Sequence, residues 1–209
     1  MPKGSQELTN ARKEEILNAC AALYETMGFK EITICDIGKK TSFTRTSIYN
    51  YFQTKEEIFL GLFQREHELW AADLYAIAAE DAPLTAQAFA QRVAATLEKR
   101  GCMLKLMSMN LYDMEDNCRL ENLVSFKKAY AQTLKAMTDC LSHCFPAMSE
   151  KEKQEILYAF FPFLHGVYPY TSHTQKQKAA MQIAGLTPPP CTVQSLVQSL
   201  LLKLLSGYA

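Results

Sequence analysis

Thr44-Arg45-Thr46-Ser47 and, one turn on, Tyr49-Asn50-Tyr51 put hydroxyl, guanidinium, phenol and amide groups at helical spacing within eight residues. Such groups read nucleic acid: arginine can take a guanine edge with two parallel bonds, hydroxyls can meet base edges or methyls, and tyrosine or lysine can hold phosphate. Arg45 is expected on a guanine, with Thr44, Thr46 and Ser47 offering adaptable contacts to bases. Thr33, Tyr49, Tyr51 and Lys55 are expected on phosphates, and Asn50 can serve either purpose. Between Gly38 and Lys55 the charged residues are Lys39, Lys40, Arg45 and Lys55, all positive, within a chain whose formal net charge is zero. With a Debye length of about 8 Å at physiological salt, this local patch outweighs distant acids.

The elements that must carry these side chains follow from the flanking residues. Thr33 and Asp36 form a capping-box-like start for a short helix that turns Ile34, Ile37 and Gly38 inward. Thr41-Ser42-Phe43 then breaks it, and Phe43 can plug the gap before the next helix. That second helix opens at Thr44, and Ile48 and Phe52 share its inner face. Thr54-Lys55-Glu56-Glu57 is a further capping box, so a third helix begins with Lys55 in its first turn. A lysine there opposes the helix dipole, and a phosphate would account for it. A preceding helix is predicted from Thr9 or Asn10 to Met27, with Ile16, Cys20, Leu23, Tyr24 and Met27 at helical spacing and Gly28 as its stop. Two short helices around a three-residue turn make a helix-turn-helix, which points to duplex DNA.

The run TICDIGKKTSFTRTSIYNYFQTKEE closely resembles the DNA-binding segment of the tetracycline-repressor (TetR) family of bacterial transcriptional regulators. Thr33, Asp36-Ile37, Phe43, Ile48 to Phe52 and Lys55-Glu56-Glu57 carry the resemblance, which covers about residues 10 to 65. It departs from the usual pattern at Gly38, at Thr41-Ser42 and at Cys35. The resemblance implies a homodimeric repressor on a palindromic operator in double-stranded DNA, released when an unknown small-molecule effector enters a C-terminal domain. Binding there would shift the helix from Lys55 to Ala79 and change the separation of the two heads.

The 209 residues are 48% hydrophobic, enough to bury a sizeable core. Strand-type alternation is rare and Gly and Pro are sparse, so the expected class is all-α: a helix-turn-helix domain over 1–54 and a helical effector-binding and dimerisation domain over 55–209. No stretch of about 18 apolar residues exists and the N-terminus lacks an apolar signal core, which predicts a cytoplasmic protein with no membrane partner. Seven cysteines without C-x-x-C spacing suggest reduced thiols.

Further helices are predicted over about 55–79, 85–100, 102–110, 117–144, 149–170 and 175–183, with a loop at Pro188-Pro189-Pro190. Pro162 should kink the aromatic helix. Val193, Leu196, Val197, Leu200, Leu201, Leu204 and Leu205 then recur with 3,1,3,1 spacing on a last helix. This stripe is either buried within the monomer or joins the aromatic helix, through Phe160, Phe163 and Leu164, in a homodimeric four-helix bundle that also resembles the family's arrangement.

An effector pocket, implied by the resemblance, would draw on Trp70, Met103, Met107, Met109, Tyr112, Phe126, Tyr130, His165 and Tyr168, since methionine and aromatic side chains make adaptable apolar cavities. The same residues could be ordinary core. Cys140, His143 and Cys144 share one helical turn, but three ligands on one turn cannot surround a tetrahedral ion unaided, so no metal or other cofactor is expected. Phosphate-loop, dinucleotide, serine-hydrolase and zinc-protease motifs are absent, and Glu14-Glu15 and Glu56-Glu57 read as caps or solvated charge. No enzymatic activity is expected. The alternatives to a regulator are a helical protein–protein adaptor that uses its helix-turn-helix as scaffold and, second, a ligand-binding enzyme of helical fold.

Overall fold

The structure, a computed structural model, describes residues 3–109 and 111–208, with the side chains of residues 3–5 and of Arg45 outside that description. The described residues form eleven α-helices and a closing 3-10 turn at Ser206–Tyr208, with no strand among them. They group into two compact units: 1–66 with 110–130, and 67–109 with 131–209. The packing therefore groups residues differently from the chain-order division after residue 54. Two long helices, Lys55–Ala78 (α4) and Leu120–Cys144 (α8), begin in the first unit and end in the second.

In the first unit, Lys3–Thr26 (α1) starts about six residues before the expected cap. Ile34–Gly38 (α2) is held by a complete capping box, with Asp36 N–H on Thr33 Oγ1 at 3.2 Å and Thr33 N–H on Asp36 Oδ2 at 3.2 Å. Arg45–Ile48 (α3) is a single turn. The core is Ile16, Cys20, Tyr24, Ile32, Ile37, Ile48, Ile58, Phe59 and Leu62, each at most 3% exposed. The Phe59 ring sits edge-on to Tyr24 (5.1 Å between centroids) and to Phe29 (4.8 Å). Gly61 on α4 faces both α1 and the end of the helix-turn-helix: a Cβ there would lie 3.3 Å from both Leu17 and Phe52. Leu111–Asp116 (α7) was not visible in the sequence, because LYDMED offers no apolar repeat; only Met114 of it is buried.

In the second unit, Ala86–Glu98 (α5) supplies an apolar face of Phe89, Ala90, Val93, Ala94 and Leu97. The last helix, Val193–Leu204 (α11), lies along α5 and also touches Glu150–Thr171 (α9), while Gly101–Met107 (α6) packs on α9. Val197, Leu201 and Leu205 are fully buried there. Part of the leucine stripe is thus used inside the monomer. Helix α9 runs through Pro162 and Pro169 as one element, with both prolines on its exposed side. Gln175–Ile183 (α10) has the predicted bounds and no buried residue. It ends at Gly185, whose φ of 67° is the left-handed geometry that favours glycine. No helix among the described residues is long and apolar enough to cross a membrane.

Candidate functional site

The DNA-reading surface expected from the sequence is built on the one turn of α3. Thr44 takes the extended cap conformation, and its hydroxyl lies 3.2 Å from that of Ser47. Ile48 and Phe52 are buried, whereas Thr44, Thr46, Tyr49 and Asn50 are exposed, Tyr49 by 43%. Ser47 and Tyr51 are half-buried. Arg45 opens the helix, and its side chain lies outside the described residues. An apolar inner face and a polar outer face thus share one turn.

The turn before α3 is pinned to α1. Glu15 accepts hydrogen bonds from the Ser42 backbone N–H and, at 3.1 Å, from the Ser42 hydroxyl, and these bonds hold its carboxyl below the usual range. Arg12 lies over the Phe43 ring at 4.7 Å, and Phe43 in turn packs on Tyr51 at 6.3 Å. The contacts from Arg12 and Glu15 are not legible in the sequence, because both lie far from the turn along the chain; Glu15, expected as a cap or solvated charge, is instead bonded to Ser42.

Two residues expected on phosphates have partners within the protein. Lys55 is half-buried, and its ammonium donates to the Phe29 carbonyl at 2.8 Å while sitting 4.2 Å from the centre of the Phe29 ring. A backbone carbonyl and an aromatic face thus offset the charge at the start of α4 without any outside partner. The Thr33 hydroxyl donates to Asp36 Oδ2 at 2.6 Å and accepts from Asp36 N–H, so it serves the cap. The expected outcome for Lys55→Ala is a loss of about 1–2 kcal/mol of stability. The salt dependence of DNA binding should keep its slope, whereas a lost phosphate contact would reduce it by about 1. Denaturant melts beside salt titrations check both.

Glu57, expected to be a cap or a solvated charge, is 1% exposed. Its carboxylate accepts from Gln53 N–H at 2.7 Å and from Arg119 at Nε (2.6 Å), Nη2 (2.9 Å) and backbone N–H (3.1 Å). Burial raises its carboxyl, but the Arg119 bonds and the backbone donors outweigh that and leave it lowered.

The effector candidates divide between the units. In the second, Trp70, Met103 and Met107 are buried, and Met109, His165 and Tyr168 are half-buried. Trp70 Nε1 donates to Thr96 Oγ1 at 3.0 Å, and its ring is 5.6 Å from Phe161. His165, one turn beyond Phe161 on α9, donates from Nδ1 to the Met107 carbonyl at 2.8 Å. Helix α9 therefore gathers Trp70, Met107 and His165. Tyr112, Phe126 and Tyr130 belong to the first unit: Tyr112 is 80% exposed, and Phe126 is core, 4.9 Å from Phe63. A groove of about 690 Å³ lies elsewhere on the second unit, lined by Pro169, Tyr170, Met181, Leu186, Pro188 and Leu196 among others.

Cys140 and Cys144 are core side chains, and the Cys140 thiol donates to the Leu74 carbonyl at 3.0 Å. Burial pushes Cys140 up to about 12 and raises Cys144, so both stay protonated at neutral pH and are poor nucleophiles. Among the described residues no group of three or more His, Cys, Asp or Glu is placed to hold a metal ion. Of the expected interface residues, Phe160, Leu164, Val197 and Leu201 are buried within the unit, while Phe163, Val193, Leu196, Leu200 and Leu204 are half-buried.

Comparison with known proteins agrees with this geometry. Residues 16–62 match the bacterial regulatory proteins of the tetR family, and residues 64–209 match the tetracyclin repressor-like C-terminal domain. The chain is 34% identical over 63 residues to the uncharacterized HTH-type transcriptional regulator YfiR of Bacillus subtilis, covering 30% of this chain and 31% of YfiR. It is 27% identical over 77 residues to the HTH-type transcriptional regulator RutR of Escherichia coli, covering 37% and 36%. Matched stretches thus span about a third of these curated relatives. In fold, the chain is similar to the transcriptional regulator FadR of Bacillus subtilis, solved with stearoyl-CoA, at a TM-score of 0.59 and 17% identity over 94% of this chain and 99% of that one. With one match covering the helix-turn-helix and the other everything from residue 64 onward, the chain belongs to the tetracycline-repressor family of bacterial transcriptional regulators.

Proposed function

We propose that this protein is a ligand-responsive transcriptional regulator that occupies a palindromic operator as a homodimer and leaves it when an effector binds the second unit. One observation carries the reading: α3 and the residues that flank it bury Ile48 and Phe52 while Thr44, Thr46, Tyr49 and Asn50 stay exposed beside a basic stretch. Arg45 takes a guanine edge, the neighbouring hydroxyls and Asn50 adapt to the bases, and Tyr49 and Tyr51 hold phosphates. Lys39 and Lys40, both exposed, add to the electrostatic attraction.

Dimerisation is supported by the free side of α9, where Tyr158 and Tyr170 are 81% and 70% exposed and Ala159, Pro162 and Pro169 are exposed between them. Together with the half-buried side of α11, this stripe is the four-helix interface we assign. Two copies of α3 about 34 Å apart would then meet successive major grooves. The effector we assign is an apolar molecule with one polar group, seated among Trp70, Met103, Met107, His165 and Tyr168. Release from DNA requires only that it bind the DNA-incompetent state more tightly, with α4, shared by both units, as the element displaced.

Gel shifts at low salt with fragments from around the coding locus test the reading. A regulator retains one fragment sequence-specifically; an adaptor gives only weak, sequence-blind retention. On the retained fragment, Arg45→Ala should cost about 1–3 kcal/mol and relax preference at one base position. Competition with single-base variants of that fragment checks it: equal losses on every sequence would reassign Arg45 to the backbone.

A further inference from the structure

Helix α3 is one turn long, and a single turn does not hold its own orientation, because nucleation fixes several residues for few hydrogen bonds. Something outside it must aim the reading face. At its N-terminal side this is the Glu15–Ser42 contact from α1. At its C-terminal side it is a segment more than sixty residues further along the chain.

Between α7 and α8, residues 117–119 close on the end of the helix-turn-helix. Thr54 donates its hydroxyl to the Asn117 carbonyl at 3.0 Å. Arg119 grips Glu57 with Nε and Nη2, one nitrogen to each carboxylate oxygen, and Nη2 also reaches the Tyr51 carbonyl at 3.4 Å. Glu57 meanwhile accepts from Gln53 N–H. The chain from Tyr51 to Thr54 leaves α3 directly, since Tyr51 and Phe52 donate their N–H groups to the Ile48 carbonyl. Its exit path is therefore tied to the Arg119 guanidinium at Tyr51 directly and at Gln53 through Glu57, with the Thr54–Asn117 bond beside them.

We infer that Arg119 is a positioning residue for DNA recognition: through Glu57 and the Tyr51 carbonyl it sets the orientation in which α3 meets the groove, and the turn between α7 and α8 is part of the DNA-binding machinery. Arg119 is not a contact to DNA. The requirement is geometric, since only the planar guanidinium offers two parallel bonds to the carboxylate while leaving a hydrogen for a carbonyl. Lysine keeps the charge and loses the fork. The inference rests on the DNA-binding reading above and narrows it.

The test uses the full-length protein and the genomic fragment that wild type retains most tightly, with a scrambled duplex of equal length beside it. Arg119→Lys leaves net charge unchanged. So does Glu57→Gln with Arg119→Gln, which avoids a lone buried carboxylate should the single variant fold poorly. Both forms are expected to lose at least tenfold in affinity for the retained fragment while binding the scrambled duplex within about threefold of wild type. Amide hydrogen exchange over 44–54 should accelerate at least tenfold, with α5 unchanged. A merely structural ion pair would lower the melting temperature and leave the fragment affinity of the folded protein as in wild type. That result overturns the inference, as does an equal loss on both duplexes. Should wild type bind no fragment selectively, the regulator reading itself fails, a result visible before any variant is made.

Discussion

Phe59→Ala is expected to destabilise the first unit by about 3–5 kcal/mol, the cost of deleting a fully buried phenyl ring. The ring makes two edge-on contacts, with Tyr24 on α1 and with Phe29 in the turn after it, and such pairs contribute about 0.5–1.5 kcal/mol beyond burial. Because native domains are stable by only about 5–15 kcal/mol, this one deletion removes a large share. It also reaches function. Phe29 supplies the carbonyl and ring face that hold Lys55, and Lys55 opens the helix whose first turn carries Glu57. Loosening Phe59 therefore loosens both the base of α4 and the exit from α3. Phe59→Leu, which refills most of the volume, should cost much less, about 1 kcal/mol. Urea unfolding followed by circular dichroism, paired with DNA retention at a temperature where wild type is fully folded, reads both effects. A midpoint for Phe59→Ala equal to that of wild type would show that the ring does not hold the first unit together.

How much of this was legible in the sequence depends on how far apart the partners lie. The caps Thr33–Asp36 and Ser149–Glu152 are three residues apart, and the structure shows both boxes complete. The inner and outer faces of α3 follow from Ile48 and Phe52, four residues apart. The contact of Lys55 is not legible, because its carbonyl partner, Phe29, lies 26 residues back and no spacing rule points there. Glu57 reads as a cap or a solvated charge, and its carboxylate does take the nearby Gln53 N–H, but Arg119 is 62 residues away. Nothing about an arginine after Asn117-Cys118 marks it as a clamp.

The larger unit was less legible for a related reason. Periodicity says that a helix has an apolar face, not which helix covers it. The leucine stripe of α11 is buried in part against α5 and half-exposed on its other side, so burial within the monomer accounts for only part of it. The effector candidates share only residue type, and type alone does not separate Trp70, in the second unit, from Phe126, in the first. Helix α7 carries no stripe, and it was missed.

Acid should weaken the second unit near pH 6, through a histidine that cannot accept a proton where it sits. His67 on α4 is fully buried. The Thr133 hydroxyl donates to the His67 backbone carbonyl at 3.1 Å, so its oxygen is left to accept from Nδ1–H, also at 3.1 Å, which fixes the neutral tautomer. Burial, reinforced by the nearby His165, pulls the imidazole down from 6.5 to about 3. In the unfolded chain the group keeps its ordinary value, so between those two values the unfolded state binds a proton that the folded state refuses. Stability then rises with pH across that window and is lost on acidification, by about 2 kcal/mol between pH 7 and pH 5. Carboxylates held below their usual range, Glu57 and Asp36 among them, titrate lower still and add little within this interval. In His67→Gln the amide can still meet Thr133 but does not titrate, so the slope between pH 7 and pH 5 should flatten while stability at pH 7 falls modestly. Unfolding free energies at half-unit steps decide the matter: a wild-type slope that survives intact in His67→Gln would mean that another group carries the acid sensitivity.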